Sequence, residues 1–303
     1  MTETPPEKIK RLQALPLSEK VELSKSLVSE WHEAWDGDVS VSFSGGIDST
    51  VLLSLARLIC PDVPAIFCNT GLEYPEILSF VKKYDNIKWV RPKLRFREVI
   101  KKYGYPVISK ENSQKLSEIR STRSEKLLHK RLYGDNNKYR SGKLPNKWHF
   151  LINAPFKISE KCCLYLKKQP MKKFTNIYLG NMSEDSHARR QIYIRNNGCG
   201  QIFNSNTPQS HPLYFWKERD VWEYIKTNNV PYSKIYDMGY DQTGCMFCMF
   251  GVHLEKYPNR FQKMKITHPK HWKYCIYKLD LKTPLDFMGI PYEPDKHSQL
   301  SIF

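Results

Sequence analysis

The sequence contains no run of eighteen apolar residues, no tract of low complexity and no internal repeat. A helical membrane span needs about twenty consecutive apolar residues, so none is expected. The first thirty residues are charged and interrupted by prolines, so no secretory leader is expected either and the expected location is cytoplasmic. Cysteine is sparse, with eight in 303 residues, which excludes a small disulfide-stapled scaffold. Two common phosphate-loop signatures, GxxxxGK and GxGxxG, are also missing.

What is present suits a folded enzyme-sized chain. Apolar residues make up 40%, enough for one substantial core with a smaller appendage. Net charge is +17, and between Lys101 and Thr175 there are 19 lysines or arginines against 5 acidic residues. Such a surface attracts a polyanion such as RNA or DNA, or else serves as a solvated basic face.

Periodicity predicts an amphipathic helix over 17–35. Asp38–Phe43 alternates like a strand, and Ser49–Ile59 is apolar at helical spacing. Pro64–Cys68 and Ile87–Val90 read as further strands, with a helix over 74–84 between them. Residues 91–160 look irregular. Asn176–Gly180 resumes the strand pattern, and helices are predicted over 184–194 and 216–228. Alternating strands and helices predict an α/β fold with a mostly parallel sheet flanked by helices. The expected division is an N-terminal helical segment (1–35), a nucleotide-binding domain (36–240) with a basic insertion (91–175), and a cysteine-bearing extension (241–303).

Ser42-Phe-Ser-Gly-Gly-Ile-Asp-Ser-Thr50 joins the first predicted strand to its helix. Gly45 and Gly46 let the backbone turn its N–H groups toward an anion, and the helix start adds positive potential there. Ser42, Ser44, Ser49 and Thr50 bring hydroxyls. Asp48 would repel phosphate unless it orders the turn or helps to hold Mg²⁺.

SGGIDST resembles the pyrophosphate loop of the adenine nucleotide alpha hydrolase (PP-loop) superfamily. The resemblance extends through Asn69-Thr-Gly-Leu-Glu-Tyr-Pro-Glu76, Tyr178–Arg190 and His211-Pro-Leu-Tyr-Phe-Trp216. Within that superfamily the chain is similar to the phosphoadenosine-phosphosulfate and adenosine-phosphosulfate reductases over about residues 36 to 250. The resemblance implies a Rossmann-like fold, a nucleotide phosphate on Ser44–Thr50, and adenine near Thr70, Gly71 and Gly180. Arg189 and Arg190 would be basic contacts to the charged end of the nucleotide, a task suited to the guanidinium fork, and His187 would join them.

Cys162-Cys163 and Cys245-Met-Phe-Cys248 form two close pairs. Four soft thiolates suit tetrahedral zinc or an iron-sulfur cluster, and paired thiols can also serve redox chemistry. Adjacent cysteines wrap awkwardly around one ion, whereas a cubane offers a separate iron to each ligand. The surrounding residues resemble the [4Fe-4S] branch of the reductases. Lys161, Lys167 and Lys168 flank the dyad; their charge would favour thiolates and attract phosphosulfate, which makes Lys161 a catalytic candidate. Cys199, within Asn196-Asn-Gly-Cys-Gly200, is either an arginine-activated nucleophile or a loop cysteine.

Two departures from the reductases affect the expected reaction. Those enzymes are expected to use a tail cysteine, yet no cysteine follows Cys275 in the sequence, and the last residues run from Pro291-Tyr-Glu-Pro-Asp295 to Leu300-Ser-Ile-Phe303. Ser44, Gly45, Gly46, Asp48 and Ser49 also match the loop form of relatives that split ATP into AMP and pyrophosphate. The expected function is therefore ATP-dependent adenylation followed by sulfur transfer from a sulfur donor to a nucleic acid. The alternative is a reductase that releases sulfite from a sulfonucleotide with a thiol reductant; a non-catalytic nucleotide or nucleic-acid binding module is a further one.

Overall fold

Val41, at the middle of the first strand, is fully buried, and so is nearly every apolar residue of the helix that follows. Burial on both faces is what parallel strands under crossover helices require. The computed structural model describes residues 3–135, 142–203 and 207–294. Residues 136–141 of the basic stretch, and the predicted tail from 295 onward, lie outside the described residues.

The elements are α1 (Pro5–Ala14), α2 (Leu17–Ala34), β1 (Ser40–Ser42), α3 (Ile47–Ile59), β2 (Ala65–Cys68), α4 (Pro75–Val81) and β3 (Ile87–Val90). Next come α5 (Phe96–Tyr103), β4 (Val107–Ile108), α6 (Lys110–Ser121), α7 (Glu125–Tyr133), α8 (Gln169–Met171), β5 (Ile177–Tyr178) and α9 (His187–Arg195). The remainder are β6 (Gln201–Ile202), β7 (Gln209–Ser210), α10 (Glu218–Thr227), β8 (Met249–Phe250), α11 (Arg260–Thr267), α12 (Pro269–Lys273) and α13 (Lys282–Phe287).

The chain divides into two compact units. The first comprises Met1–Asn69, Glu73–Arg91 and Pro170–Thr243. It holds a six-stranded sheet in the order β3-β2-β1-β5-β7-β6, parallel throughout except for β6 against β7. From β1 the chain steps outward through β2 and β3, then returns to the other side of β1 with β5. The order therefore reverses between β1, where Val41 pairs with Ala65, and β5, where Val41 pairs with Tyr178. A reversal of this kind opens a crevice at the carboxyl ends of the strands, the usual ligand position in open α/β sheets.

Helix α2 is fixed to this unit by buried polar contacts as well as by Val28 and Trp31. The Trp31 indole donates to the Asn176 carbonyl at 3.0 Å, and the Tyr178 hydroxyl donates to the Val28 carbonyl at 2.8 Å. Ser24 accepts from the Trp216 indole at 2.9 Å and donates to the Pro212 carbonyl at 2.8 Å. Lys20 reaches Asp220 of α10 at 2.5 Å, with both side chains buried.

The second unit comprises Thr70–Leu72, Pro92–Gln169 and Gly244–Phe303. It takes in most of the basic insertion together with most of the cysteine-bearing extension. Its sheet is a parallel pair, β4 with β8, in which Val107 pairs with Met249. Val107, Leu116, Leu151, Met249, Phe261 and Cys275 are fully buried and form part of its core. Arg120 of α6 donates to the carbonyls of Phe156 at 2.7 Å and Ala154 at 3.0 Å, fixing the strand-like run that leads to the cysteine dyad. Among the described residues no helix is long and apolar enough to cross a membrane.

Candidate functional site

The SGGIDST turn lies at the strand-order reversal of the first unit. Ser42 closes β1, Ser44 is exposed, and Gly46 caps α3. Gly45 has φ +76°, and a Cβ there would come within 2.8 Å of the Val81 side chain on α4. Only glycine meets both conditions. From the other side of β1, Gly180 packs against the backbone of Asp48 and Ser49, where a Cβ would lie 3.1 Å from the Asp48 carbonyl carbon.

The hydroxyls divide their work. Ser49 and Thr50 both donate to the Gly46 carbonyl at 2.9 Å, and Ser49 also accepts from the Ser44 N–H at 3.1 Å. These two groups brace the turn, and with Ser49's proton committed the Ser44 hydroxyl donates to Ser49 Oγ at 3.0 Å, so an anion is offered backbone amides, and Ser44 only if it leaves Ser49.

Asp48 is half-buried on the first turn of α3. Desolvation first, then the charges of Asp185 and Glu218, push its carboxyl up to about 7, while Arg189 opposes the rise. The acidic cluster and the arginine thus share one neighbourhood at the crevice. Arg189 is ion-paired with Asp185, whose carboxylate also accepts from the Met182 N–H at 2.8 Å. His187 and Arg190 are exposed on the same helix start, and the His187 ring is 3.3 Å from the Gln191 amide. Thr70 and Gly71 belong to the second unit, where Thr70 is buried and accepts from the Leu72 N–H at 3.2 Å.

All four cysteines of the predicted quartet fall within the second unit. Burial raises the Cys162 thiol well above the ordinary thiol range, and the charges of Cys245, Cys163 and Cys248 raise it further, against Lys167. Cys248 is pushed up to about 11 by burial and by Cys245, with Arg260 opposing. These mutual effects show that the adjacent pair and the CxxC pair have been brought together. Arg260 donates to the Cys248 carbonyl at 3.1 Å and pairs with Glu255, holding the CxxC turn. Lys161 points its ammonium over the Tyr103 ring, 5.1 Å from its centroid. Among the described residues no three histidine, cysteine or acidic side chains surround a point that one metal ion could occupy.

The family model described as the phosphoadenosine phosphosulfate reductase domain matches residues 38–250. The chain belongs to that family. It is 28% identical over 257 residues to an uncharacterized protein of Methanocaldococcus jannaschii, covering 82% of this chain and 49% of that one. It is 23% identical over 222 residues to the adenosine 5'-phosphosulfate reductase of Staphylococcus epidermidis RP62A, covering 73% of this chain and 74% of that enzyme. This chain thus spans about half the length of the archaeal relative. Among solved structures, a phosphoadenylyl-sulfate reductase from Candida auris in a phosphate complex is similar with 16% identity and a TM-score of 0.42, over 81% of this chain and 97% of that one.

The family match covers the loop, Arg189 and Cys245, but not every participant carries a motif. Asp185 and Glu218 become neighbours of Asp48 only through the sheet order, and Tyr236 reaches the loop from 189 residues away. Asp185 lies within the Tyr178–Arg190 segment that carries the resemblance, whereas Glu218 and Tyr236 lie outside the quoted motifs.

Proposed function

We propose that this chain is an adenine-nucleotide enzyme of sulfur chemistry that reduces a sulfonucleotide, adenosine phosphosulfate or its 3'-phosphorylated form, to sulfite. The observation that carries the reading is the glycine turn at the strand-order reversal, braced by Gly180, in a chain of the phosphosulfate reductase family. The named reductases among the relatives shift the weight from sulfur transfer, which the loop alone favours, to reduction.

In this reading the loop amides and Ser44 hold the nucleotide phosphate, and Arg189, released from Asp185, turns its guanidinium to the charged end. A thiolate attacks the sulfur, the bond from sulfur to the adenylate oxygen breaks, and the nucleotide leaves with the electron pair, as AMP from adenosine phosphosulfate or as adenosine 3',5'-bisphosphate from its 3'-phosphorylated form. A second thiolate attacks the resulting thiosulfonate, sulfite departs, and the two thiols end as a disulfide. Cys275 is a poor nucleophile because it is fully buried, its thiol is raised by desolvation, and it lies 3.3 Å from the Trp272 carbonyl. Cys199 follows the C-terminal end of α9, whereas Arg189 is in its first turn, about 9 Å of helix away at 1.5 Å per residue. An external thiol donor therefore supplies both electrons.

Cys162, Cys163, Cys245 and Cys248 would hold a [4Fe-4S] cluster. Around one zinc ion, tetrahedral thiolates stand about 3.8 Å apart, whereas a cubane gives each its own iron and a wider spacing. The support for this ligand set is that the two pairs lie close enough for their charges to act on one another. A fully ligated cluster would supply structural support and a local field.

A second reading, ATP-dependent sulfur transfer to a nucleic acid, is favoured by the intact Ser44-Gly45-Gly46-x-Asp48-Ser49 pattern, whose carboxylate suits the Mg²⁺ of ATP. One experiment separates the two readings. Protein purified without oxygen is incubated with adenosine phosphosulfate or its 3'-phosphorylated form plus a thiol, and separately with ATP, Mg²⁺ and RNA, and the products are identified by mass. Sulfite in equal amount with AMP, or with adenosine 3',5'-bisphosphate from the 3'-phosphorylated substrate, supports reduction, while AMP and pyrophosphate without sulfite move the assignment to sulfur transfer. Absence of both rejects both.

A further inference from the structure

Ile47 is the first residue of α3, and its N–H is among those the turn would present to an anion. That N–H donates instead to the phenol oxygen of Tyr236 at 3.0 Å. Tyr236 belongs to the same unit and follows α10 in the chain. Its ring meets Trp222 edge-on, with centroids 5.6 Å apart, and Tyr232 lies 6.4 Å away on the same cluster. The phenol is thus anchored by packing as well as by the amide.

Two hydroxyls cover the glycine turn. A Cβ on Gly46 would lie 2.7 Å from Thr243 Oγ1 and 3.3 Å from the Tyr236 oxygen. Those two oxygens are 3.4 Å apart, long for an O–H···O bond, which prefers about 2.7–2.8 Å. The phenol oxygen therefore accepts one good bond while its own proton has only a poor acceptor. Ser49 and Thr50 have already given theirs to the Gly46 carbonyl. The turn has no lysine of the Walker kind, and beside the Asp48 carboxylate a lysine would be drawn into an ion pair. A neutral phenol escapes that competition.

We propose that Tyr236 is a phosphate-binding residue of this loop: its hydroxyl keeps the Ile47 N–H and donates its proton to a phosphate oxygen of the nucleotide seated on residues 44–47. This rests on the reading that the turn holds nucleotide phosphate, and it adds a donor from a segment that carries no loop motif.

The test is Tyr236→Phe in the full chain, which removes the hydroxyl and keeps the ring against Trp222. Titration calorimetry with adenosine phosphosulfate and with ATP should show affinity about tenfold or more weaker, the usual loss for a hydrogen bond to a charged group. Equal or tighter binding by the variant overturns the proposal while leaving the loop reading intact. If the unaltered protein binds neither probe, the loop reading fails and Tyr236 fails with it. Should the variant not fold, nitration of Tyr236 in the unaltered protein gives the same answer. Adenosine phosphosulfate should slow it, and an unchanged rate overturns the assignment.

Discussion

Asp48 concentrates the tension of the first unit in one carboxyl group. It sits where a helix start favours negative charge, yet burial, Asp185 and Glu218 favour the protonated form, and the balance raises it from 3.8 to about 7. A carboxyl whose folded pKa lies above its unfolded one stabilises the fold fully below the unfolded value and loses that contribution as pH rises through the folded one. Asp48→Asn stays neutral throughout, so the wild-type protein should lose stability relative to this variant between about pH 4 and pH 7. The difference should be of the order of a few kcal/mol. Urea unfolding of both proteins at pH 4, 5.5 and 8 measures it, and a constant difference would refute the assignment. Turnover should move the opposite way, with Asp48→Asn losing nucleotide cleavage while gaining stability at pH 8. At this scale the sequence was legible where a residue must be glycine: the Gly45 turn is visible in SGGIDST, whereas the charges that tune Asp48 come from Asp185 before α9, Arg189 on it and Glu218 on α10.

Between elements, the Lys20–Asp220 pair joins α2 to α10 with side chains 0% and 5% exposed. Asp220 also accepts from the Lys217 N–H at 2.8 Å, and Lys20 donates to the Gln13 carbonyl at 2.9 Å, so each charge has a second partner. Lys20→Met leaves the buried Asp220 only the Lys217 N–H and the longer 3.6 Å contact with the exposed Arg219, and should cost about 3 kcal/mol; Asp220→Asn should cost a similar amount. The double variant should cost clearly less than the two combined, as read from denaturant midpoints, and simple additivity would show that the pair does not act as a unit. Sequence periodicity found α2, α3 and α10 to within a few residues because each buries apolar residues at helical spacing, and it placed α9 although only Tyr193 of that helix is buried. It missed α5 to α7 in the stretch taken as irregular. On α7 no residue is buried, and a helix without a buried stripe carries little apolar period to detect. The pairing of β4 with β8 was equally invisible, since two-residue strands more than 140 positions apart leave no local period.

For the whole molecule, the basic excess of Lys101–Thr175 lies almost entirely in the second unit. If that surface meets a nucleic acid, each phosphate neutralised releases counterions, and the logarithm of the affinity for a single strand should fall by about 0.7 per contact for each unit in the logarithm of salt concentration. Binding of single-stranded RNA followed by fluorescence anisotropy between 50 mM and 200 mM salt measures that slope, on the order of a hundredfold or more for several contacts. A flat dependence would assign the charge to solubility or to the sulfonucleotide alone. The fold places another demand on the molecule as it is made. β1 and its turn emerge early, but the partner strand β5 and the buttress Gly180 follow about 130 residues later. On a ribosome adding about 5–20 residues each second, that interval lasts roughly 7 to 25 seconds. For that time one edge of the strand destined for the middle of the sheet is bare in the nascent chain and open to pairing with another strand.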